Sequence, residues 1–529
     1  MSKYFTIPME SWLLLPPALW ILFSIIRLFY FLLTYYCTTN LKAVPGPVTQ
    51  APVEFTKYDW PILRSAVWFF RRRGDFLVEG IRASATGNFS FYVGEKHVVC
   101  ISGFQGRKTF FESKDLNLAA GFVELLAGIP SSGNPTGEES WARRFKKQIV
   151  NLSHQTFLLQ MCEELGGRPP LINSDGWNVV DPFDRMYELI YKLTTRLVGS
   201  TEIAEDRELL RWSLSVFERL ERSGSTARIV FPWLITFNYI ASLALGARLY
   251  IALLRVIQKR NGRKHNEDAV GYLLKDGWDP EEIVKVSLIY STHGQRHRAN
   301  KQFQMAALWA GILSTAANAS WLLVILASNP ESKEVCVREI DTVIARHGVG
   351  RGQSPLDVLK ELSLETWESE FPQLDSCLRE GIRLATPGTA FRKNISGKDI
   401  VIGNTGEVIP NGSFAAYIMD DVHLNPGIYP QPLRYDPSRF TELDDASKLR
   451  QPYNYLGWGA GRHLCVGTRV AKLEITMIMA HMLACFDFEL SDKRGNPNHT
   501  NPTLPSRNWH KAGKPTVPIY LRYKPRRGS

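Results

Sequence analysis

The chain has 529 residues, 63 of them lysine or arginine and 52 aspartate or glutamate, for a formal net charge of +11. Its 44% hydrophobic content supplies a large core and excludes a disordered or collagen-like chain. Seven irregularly spaced cysteines exclude a disulfide framework and suit a reducing compartment. The basic balance comes with neither a nucleic-acid motif nor a basic-aromatic stripe, so it suits an anionic membrane surface or an acidic electron donor instead.

From Trp12 to Cys37 the chain is almost wholly apolar or aromatic, broken chiefly by Arg27. About 20 such residues cross a bilayer, and no small-residue cleavage site follows, so the run reads as a retained anchor. Val44-Pro45-Gly46-Pro47 then stops the helix and stiffens a hinge. Residues 88 to 103 read as a β-hairpin turning at Gly94-Glu95-Lys96. Basic residues gather at Arg143-Arg144 and Lys146-Lys147, and from about 139 to 330 the pattern is mainly helical. A long apolar helix is expected around 302 to 328.

Glu380 and Arg383 are three apart on a helical segment and share a face. Spacing alone says little, since Glu79/Arg82 and Glu208/Arg211 repeat it. Residues 395 to 419 alternate short apolar runs with Gly and Asn and read as strands, and Pro515 to Tyr523 reads as a closing strand. Small β portions at both ends of a helical body make an α+β layout. The most informative segment is Trp458-Gly459-Ala460-Gly461-Arg462-His463-Leu464-Cys465-Val466-Gly467, just before a predicted helix. A thiol at a helix start is favoured as thiolate, and glycines let a flat cofactor approach the backbone.

That run resembles the haem-binding loop of the cytochrome P-450 family, whose pattern is aromatic, Gly or Ser, any, Gly, any, Arg or His, any, Cys, any, Gly. The resemblance implies the mainly helical cytochrome P-450 fold with small β-sheets, preceded by one N-terminal transmembrane helix. It divides the chain into an anchor at 1–40, a proline-rich hinge at 41–50 and a catalytic domain at 51–529. It implies haem b held by Cys465 as axial ligand of the iron. Trp458, Gly459, Gly461, His463 and Gly467 line the cofactor, and Arg392 and Arg144 are candidates for its propionates. Trp141 with Arg144 is similar to a haem-contacting helix of the family. Glu380 and Arg383, followed by Pro437-Ser438-Arg439-Phe440, resemble the Glu-x-x-Arg and Pro-x-Arg-Phe elements, whose Glu-Arg-Arg network has a structural role.

One segment departs from the pattern. Where most members carry an acid and a threonine that deliver protons, this chain has Ala310-Gly311-Ile312-Leu313-Ser314-Thr315. Ser314, Thr315 and Asn318 are the candidates for a replacement relay through water. The departure sets an isomerase or dehydratase reading beside the monooxygenase one, and a non-enzymatic haem protein is the third alternative. The monooxygenase reading is a haem-thiolate enzyme that inserts oxygen from O2 into a hydrophobic small molecule. Its electrons come from NADPH through a membrane-bound NADPH–cytochrome reductase. The second reading is a haem-thiolate isomerase or dehydratase acting without reductase. The wording of the cysteine loop resembles filamentous-fungal members of secondary metabolism, which implies a terpenoid, meroterpenoid or alkaloid intermediate as substrate. The anchor implies a single-pass protein of the endoplasmic reticulum membrane with the catalytic domain facing the cytosol. Nucleic acid is not an expected partner.

Overall fold

The computed structural model describes residues 50–125, 176–260, 303–348 and 353–526, apart from short gaps near 61, 123, 199, 224, 233, 446 and 510. The N-terminal apolar run, most of the hinge, Trp141, Arg144, the 143–147 basic cluster and Cys162 lie outside the described residues.

Helices dominate the middle and the sheets flank them. The helices that matter for the site are α1 (Arg73–Ala83), α2 (Gly103–Glu112), α3 (Pro182–Val198), α4 (Phe237–Arg260), α5 (Phe303–Ser328), α6 (Pro330–His347), α7 (Pro372–Ala385) and α8 (Thr468–Cys485). Strands β1 (Phe89–Val93), β2 (Lys96–Cys100), β3 (Leu116–Asn117), β5 (Thr389–Asn394) and β8 (Phe414–Ile418) form one sheet in the order β1-β2-β8-β5-β3. Its β2–β8 pair is parallel and its other pairs are antiparallel. A second sheet joins β4 (Asn178–Val180), β10 (Tyr520–Pro525) and β9 (Phe486–Ser491), and β6 (Ile400–Val401) pairs with β7 (Val408–Ile409).

Strand β8 shows how the sheet separates two cores. All five of its residues are buried. Phe414, Ala416 and Ile418 face an aromatic cluster with Phe69, Phe76, Phe89, Phe91 and Phe391. Ala415 and Tyr417 face the opposite cluster with Phe110 and Phe111. Side chains alternate across a strand, so a strand covered on both faces reads as a continuous apolar run.

The third and largest core gathers around α5, with α6, α7 and α8 packed on it. Helix α5 is mostly apolar, and from Ile312 to Leu326 every residue but Ser314 is buried. Trp321 lies fully within the core and donates its indole N–H to the Gly513 carbonyl at 3.0 Å. Helix α7 carries Pro372 at its start, where a missing N–H costs nothing. The next two N–H groups, of Gln373 and Leu374, donate to the Glu339 carboxylate at 2.7 and 3.1 Å. An acid from a neighbouring helix thus caps α7 and favours its dipole.

The hairpin at 88–103 forms as expected, as β1 and β2. Two strand limits differ from the sequence reading. β10 starts at Tyr520 because Pro515 and Pro518 supply no N–H to a ladder. The strand order after α7 begins at Thr389 rather than 395, because Arg392 and Lys393 interrupt the apolar pattern that would mark β5.

Candidate functional site

The cysteine run folds as a tight loop ahead of α8. Gly459 and Gly461 take φ of +73° and +58°, a conformation that L side chains rarely adopt. Space is equally decisive. A Cβ at Gly461 would lie 2.3 Å from the Phe111 carbonyl oxygen, and one at Gly459 would lie 2.7 Å from the His463 carbonyl oxygen. Cys465 N–H donates to Trp458 O at 2.8 Å, closing the loop. The Cys465 carbonyl accepts from the Thr468 hydroxyl at 2.8 Å, which ties the loop to the first residue of α8. The result is an exposed cysteine between two exposed aliphatic chains, Leu464 and Val466. The other described cysteines, Cys100, Cys336, Cys377 and Cys485, are buried. Trp458 packs against the main core with its indole N–H buried and unpartnered.

Arg392 projects from β5 and is 2% exposed. Its guanidinium lies over the Phe110 ring at 5.0 Å, its Nη1 has no partner among the described residues, and burial lowers its pKa to about 10. The backbone at Arg392 is met so closely by Gly121 that a Cβ there would lie 2.4 Å from the Arg392 Cα. Burial and the nearby charges of Arg392 and Arg462 lower the His463 pKa to about 4, so its ring is neutral at pH 7. A buried cation without an acid beside a neutral imidazole is a place prepared for an anion.

Glu380, Arg383 and Arg439 come together. Arg383 Nε and Nη2 both donate to Glu380 at 2.7 Å, a bidentate pair with neither side chain exposed. Arg383 Nη1 donates to the carbonyls of His423 and Pro432 at 2.7 and 2.6 Å. Arg439 Nε lies 3.4 Å from Glu380, and the Asp436 N–H donates to the same carboxylate at 3.0 Å. Sequence reading missed His423. Its Nε2 accepts from the Leu456 N–H at 3.0 Å, and burial with three nearby arginines lowers its pKa to about 3. One residue therefore links Arg383 to the stretch leading into the cysteine loop.

The cytochrome P450 family model matches residues 296–513. The chain is 31% identical over 516 residues to cytochrome P450 monooxygenase AacuE of Aspergillus aculeatus, covering 92% of this chain and 95% of that protein. The chain belongs to the cytochrome P450 family. It is 29% identical to cytochrome P450 monooxygenase nsrP of Aspergillus novofumigatus, over 78% of this chain and 79% of that one. It is 28% identical to Ent-kaurenoic acid oxidase 1 of Arabidopsis thaliana, over 64% and 66%. The helical body with small sheets is the P450 fold, and the chain is a P450 monooxygenase.

Membership in the P450 family implies haem. The residues present fit that group, with an accessible thiol on a glycine loop, exposed aliphatic neighbours and a buried, acid-free Arg392 close to His463.

On α5, Leu313 is buried where most P450s have an acid, and Ser314 is exposed on the helix. Neither the Ser314 nor the Thr315 hydroxyl bonds back to the helix among the described residues, whereas Ser320 does, to Ala316 O at 2.8 Å. Asn318 is tied at both ends of its amide. Its Nδ2 donates to Ser314 O at 2.8 Å, and its Oδ1 accepts from the Thr386 hydroxyl at 2.8 Å. Thr386 follows α7 and precedes β5, so this bond joins α5 to the segment leading to Arg392. No local pattern marks Thr386, because its partner lies 68 residues away.

Proposed function

We propose that the protein is a membrane-tethered haem-thiolate monooxygenase of secondary metabolism that oxidises a hydrophobic small molecule. The observation that carries this reading is the exposed Cys465 on its sterically fixed glycine loop, with Arg392, which has no acid partner among the described residues, close to His463 of the same loop. Cys465 would hold the haem iron through its thiolate. Arg392 and His463 hold the propionates, with Arg392 supplying charge and His463 a neutral N–H. Gly459, Gly461 and Gly467 would leave room for a flat macrocycle against the backbone, and Trp458 would line it. Glu380, Arg383 and Arg439 fix the underlying scaffold. Bound there, haem supplies dioxygen activation and oxidation of an unactivated C–H bond.

The Ser314 hydroxyl holds water on the reacting side of α5. Thr315 borders it, and Asn318, held by Thr386, keeps the Ser314 carbonyl occupied so that protons travel by the hydroxyl instead. Two electrons come from NADPH through a membrane-bound reductase. The apolar run at 12–37 anchors the chain in the endoplasmic reticulum membrane with the catalytic domain in the cytosol. The exposed apolar side chains of Phe237, Ile240 and Ile251 on α4 suit the same membrane surface. A terpenoid, meroterpenoid or alkaloid intermediate fits the likeness to the fungal P450 monooxygenases.

The test is the carbon-monoxide difference spectrum of the reduced full-length protein. The expected result is a band near about 450 nm, as thiolate ligation requires, lost in Cys465→Ser together with NADPH-dependent turnover. A Cys465→Ser protein that keeps both the band and turnover overturns the reading.

A further inference from the structure

Four arginines are buried among the described residues, and three have an explanation. Arg383 is paired with Glu380 at 2.7 Å. Arg107 is paired with Asp421 at 3.1 Å and reaches the Asn454 side chain. Arg392 is acid-free but stands close to His463. The fourth, Arg73, is 3% exposed and faces no acid among the described residues. Its Nε makes one long bond, to Phe69 O at 3.4 Å, and its Nη1 is buried without a partner. Three rings surround the guanidinium, Phe69 at 4.7 Å, Phe391 at 5.4 Å and Phe70 at 5.7 Å. The nearest acid in sequence, Asp75, is exposed and engaged by Arg72.

The residue is held firmly in that position. A Cβ on the adjacent Gly74 would lie 2.3 Å from the Arg507 carbonyl oxygen, and the Asp75 N–H donates to the Asn508 side chain at 3.0 Å. Helix α1 therefore begins wedged against the 507–508 segment. A guanidinium walled by aromatic rings, with one edge vacant, matches a planar carboxylate carried on an apolar skeleton. A haem carboxylate is a poor match for it. Phe391 and Arg392 are neighbours on β5 and point to opposite faces of the sheet, into different clusters, and Arg73 is on the Phe391 side.

We propose that Arg73 is the anion-recognition residue of the substrate site and receives the carboxylate of a hydrophobic acid. The proposal rests on the monooxygenase reading and names the substrate class for it. Phe391 lies five positions after Thr386, which is bonded to Asn318 on α5, and that stretch spans at most about 18 Å. A polycyclic or long-chain acid with its carboxylate at Arg73 reaches toward Ser314 with its other end.

The test is spectral titration of the haem-loaded full-length protein at pH 8 with two acid–ester pairs. These are abietic acid with methyl abietate, and hexadecanoic acid with methyl hexadecanoate. The expected result is that at least one acid binds about tenfold or more tightly than its ester. The ratio falls to about one in Arg73→Met and recovers in part in Arg73→Lys, while ester affinity and haem content stay unchanged. Failure of both acids to outbind their esters in the unmodified protein overturns the proposal, as does a ratio retained in Arg73→Met. Loss of haem in Arg73→Met also overturns it, by assigning the residue to the cofactor. If Arg73→Met does not fold, the unmodified protein and Arg73→Lys decide the matter by the same ratios. An absent 450-nm band in the unmodified protein is a different failure, because it removes the haem reading itself.

Discussion

Arg383 and Arg392 lie nine residues apart and are almost equally buried, at 0% and 2% exposed. Arg383 is saturated, with a bidentate carboxylate, two backbone carbonyls on its remaining nitrogen and the Tyr429 ring at 4.7 Å. Arg392 has the Phe110 ring, one long backbone bond and an empty Nη1. Burial is the same and compensation is opposite. A satisfied buried charge belongs to the scaffold, whereas an unsatisfied one is held in readiness for something the chain does not itself supply.

The sharpest way to break this contrast is to remove the counter-charge from the satisfied side. Glu380→Gln leaves Arg383 and Arg439 buried without their carboxylate, at an expected cost of about 3–5 kcal/mol. Denaturant unfolding checks it, and haem-loaded and haem-free protein are expected to lose stability alike. A midpoint that moves only in the loaded protein would transfer the cluster from scaffold to cofactor site.

Glu474 on α8 shows a third way to live with burial. Its Oε1 has no partner, and desolvation raises its pKa to about 8. The folded value stands above the ordinary 4.5, so the folded chain holds a proton that the unfolded chain releases. Stability from this group is fully present below about pH 4.5 and is lost as pH rises toward 8. The expected loss is roughly 4 kcal/mol across that window. Glu474→Gln is expected to leave stability at pH 5 unchanged and to raise it at pH 8.5. Unfolding midpoints at the two pH values measure this, and a variant that tracks the unmodified protein at both rejects it.

On the unsatisfied side the expected effect is smaller and differently placed. Arg392→Met removes an uncompensated charge, so haem-free protein is expected to be no less stable than before. Haem retention is expected to fall about tenfold, near 1.4 kcal/mol. The ratio of haem to protein after dialysis, set beside the unfolding midpoint, separates the two. Equal losses in both would make Arg392 a second scaffold residue.

How much of this was legible in the chain follows the range of each interaction. The cysteine loop could be read because its glycines, its histidine and its thiol lie within ten residues and answer to local geometry. Glu380 and Arg383 share one helical turn, and Arg439 completes them in a fixed order. His423, Thr386 and Arg73 could not be read, because their partners arrive from 33, 68 and 318 residues away. Strand β5 was hidden by the charges that make it useful. A buried strand with Arg392 and Lys393 violates the apolar pattern, and only tertiary packing overrides that.

The smallest expected effect tests the bond between those long-range pieces. Thr386 donates to Asn318 Oδ1 at 2.8 Å and thereby fixes which end of the amide faces the Ser314 carbonyl. Thr386→Val keeps the volume and removes the donor, leaving a buried amide oxygen unpaired. The amide is then free to turn, and the Ser314 carbonyl competes with the hydroxyl for water. Peroxide released per NADPH consumed is expected to rise about two- to fivefold, which corresponds to roughly 0.4–1 kcal/mol. Thr386→Ser restores the donor and is expected to restore coupling. Loss of packing alone would leave coupling unchanged in the valine variant, whose shape is nearly that of threonine. Unaltered peroxide yield in Thr386→Val, with an intact carbon-monoxide spectrum, would therefore confine the Asn318 bond to the scaffold, alongside Arg383.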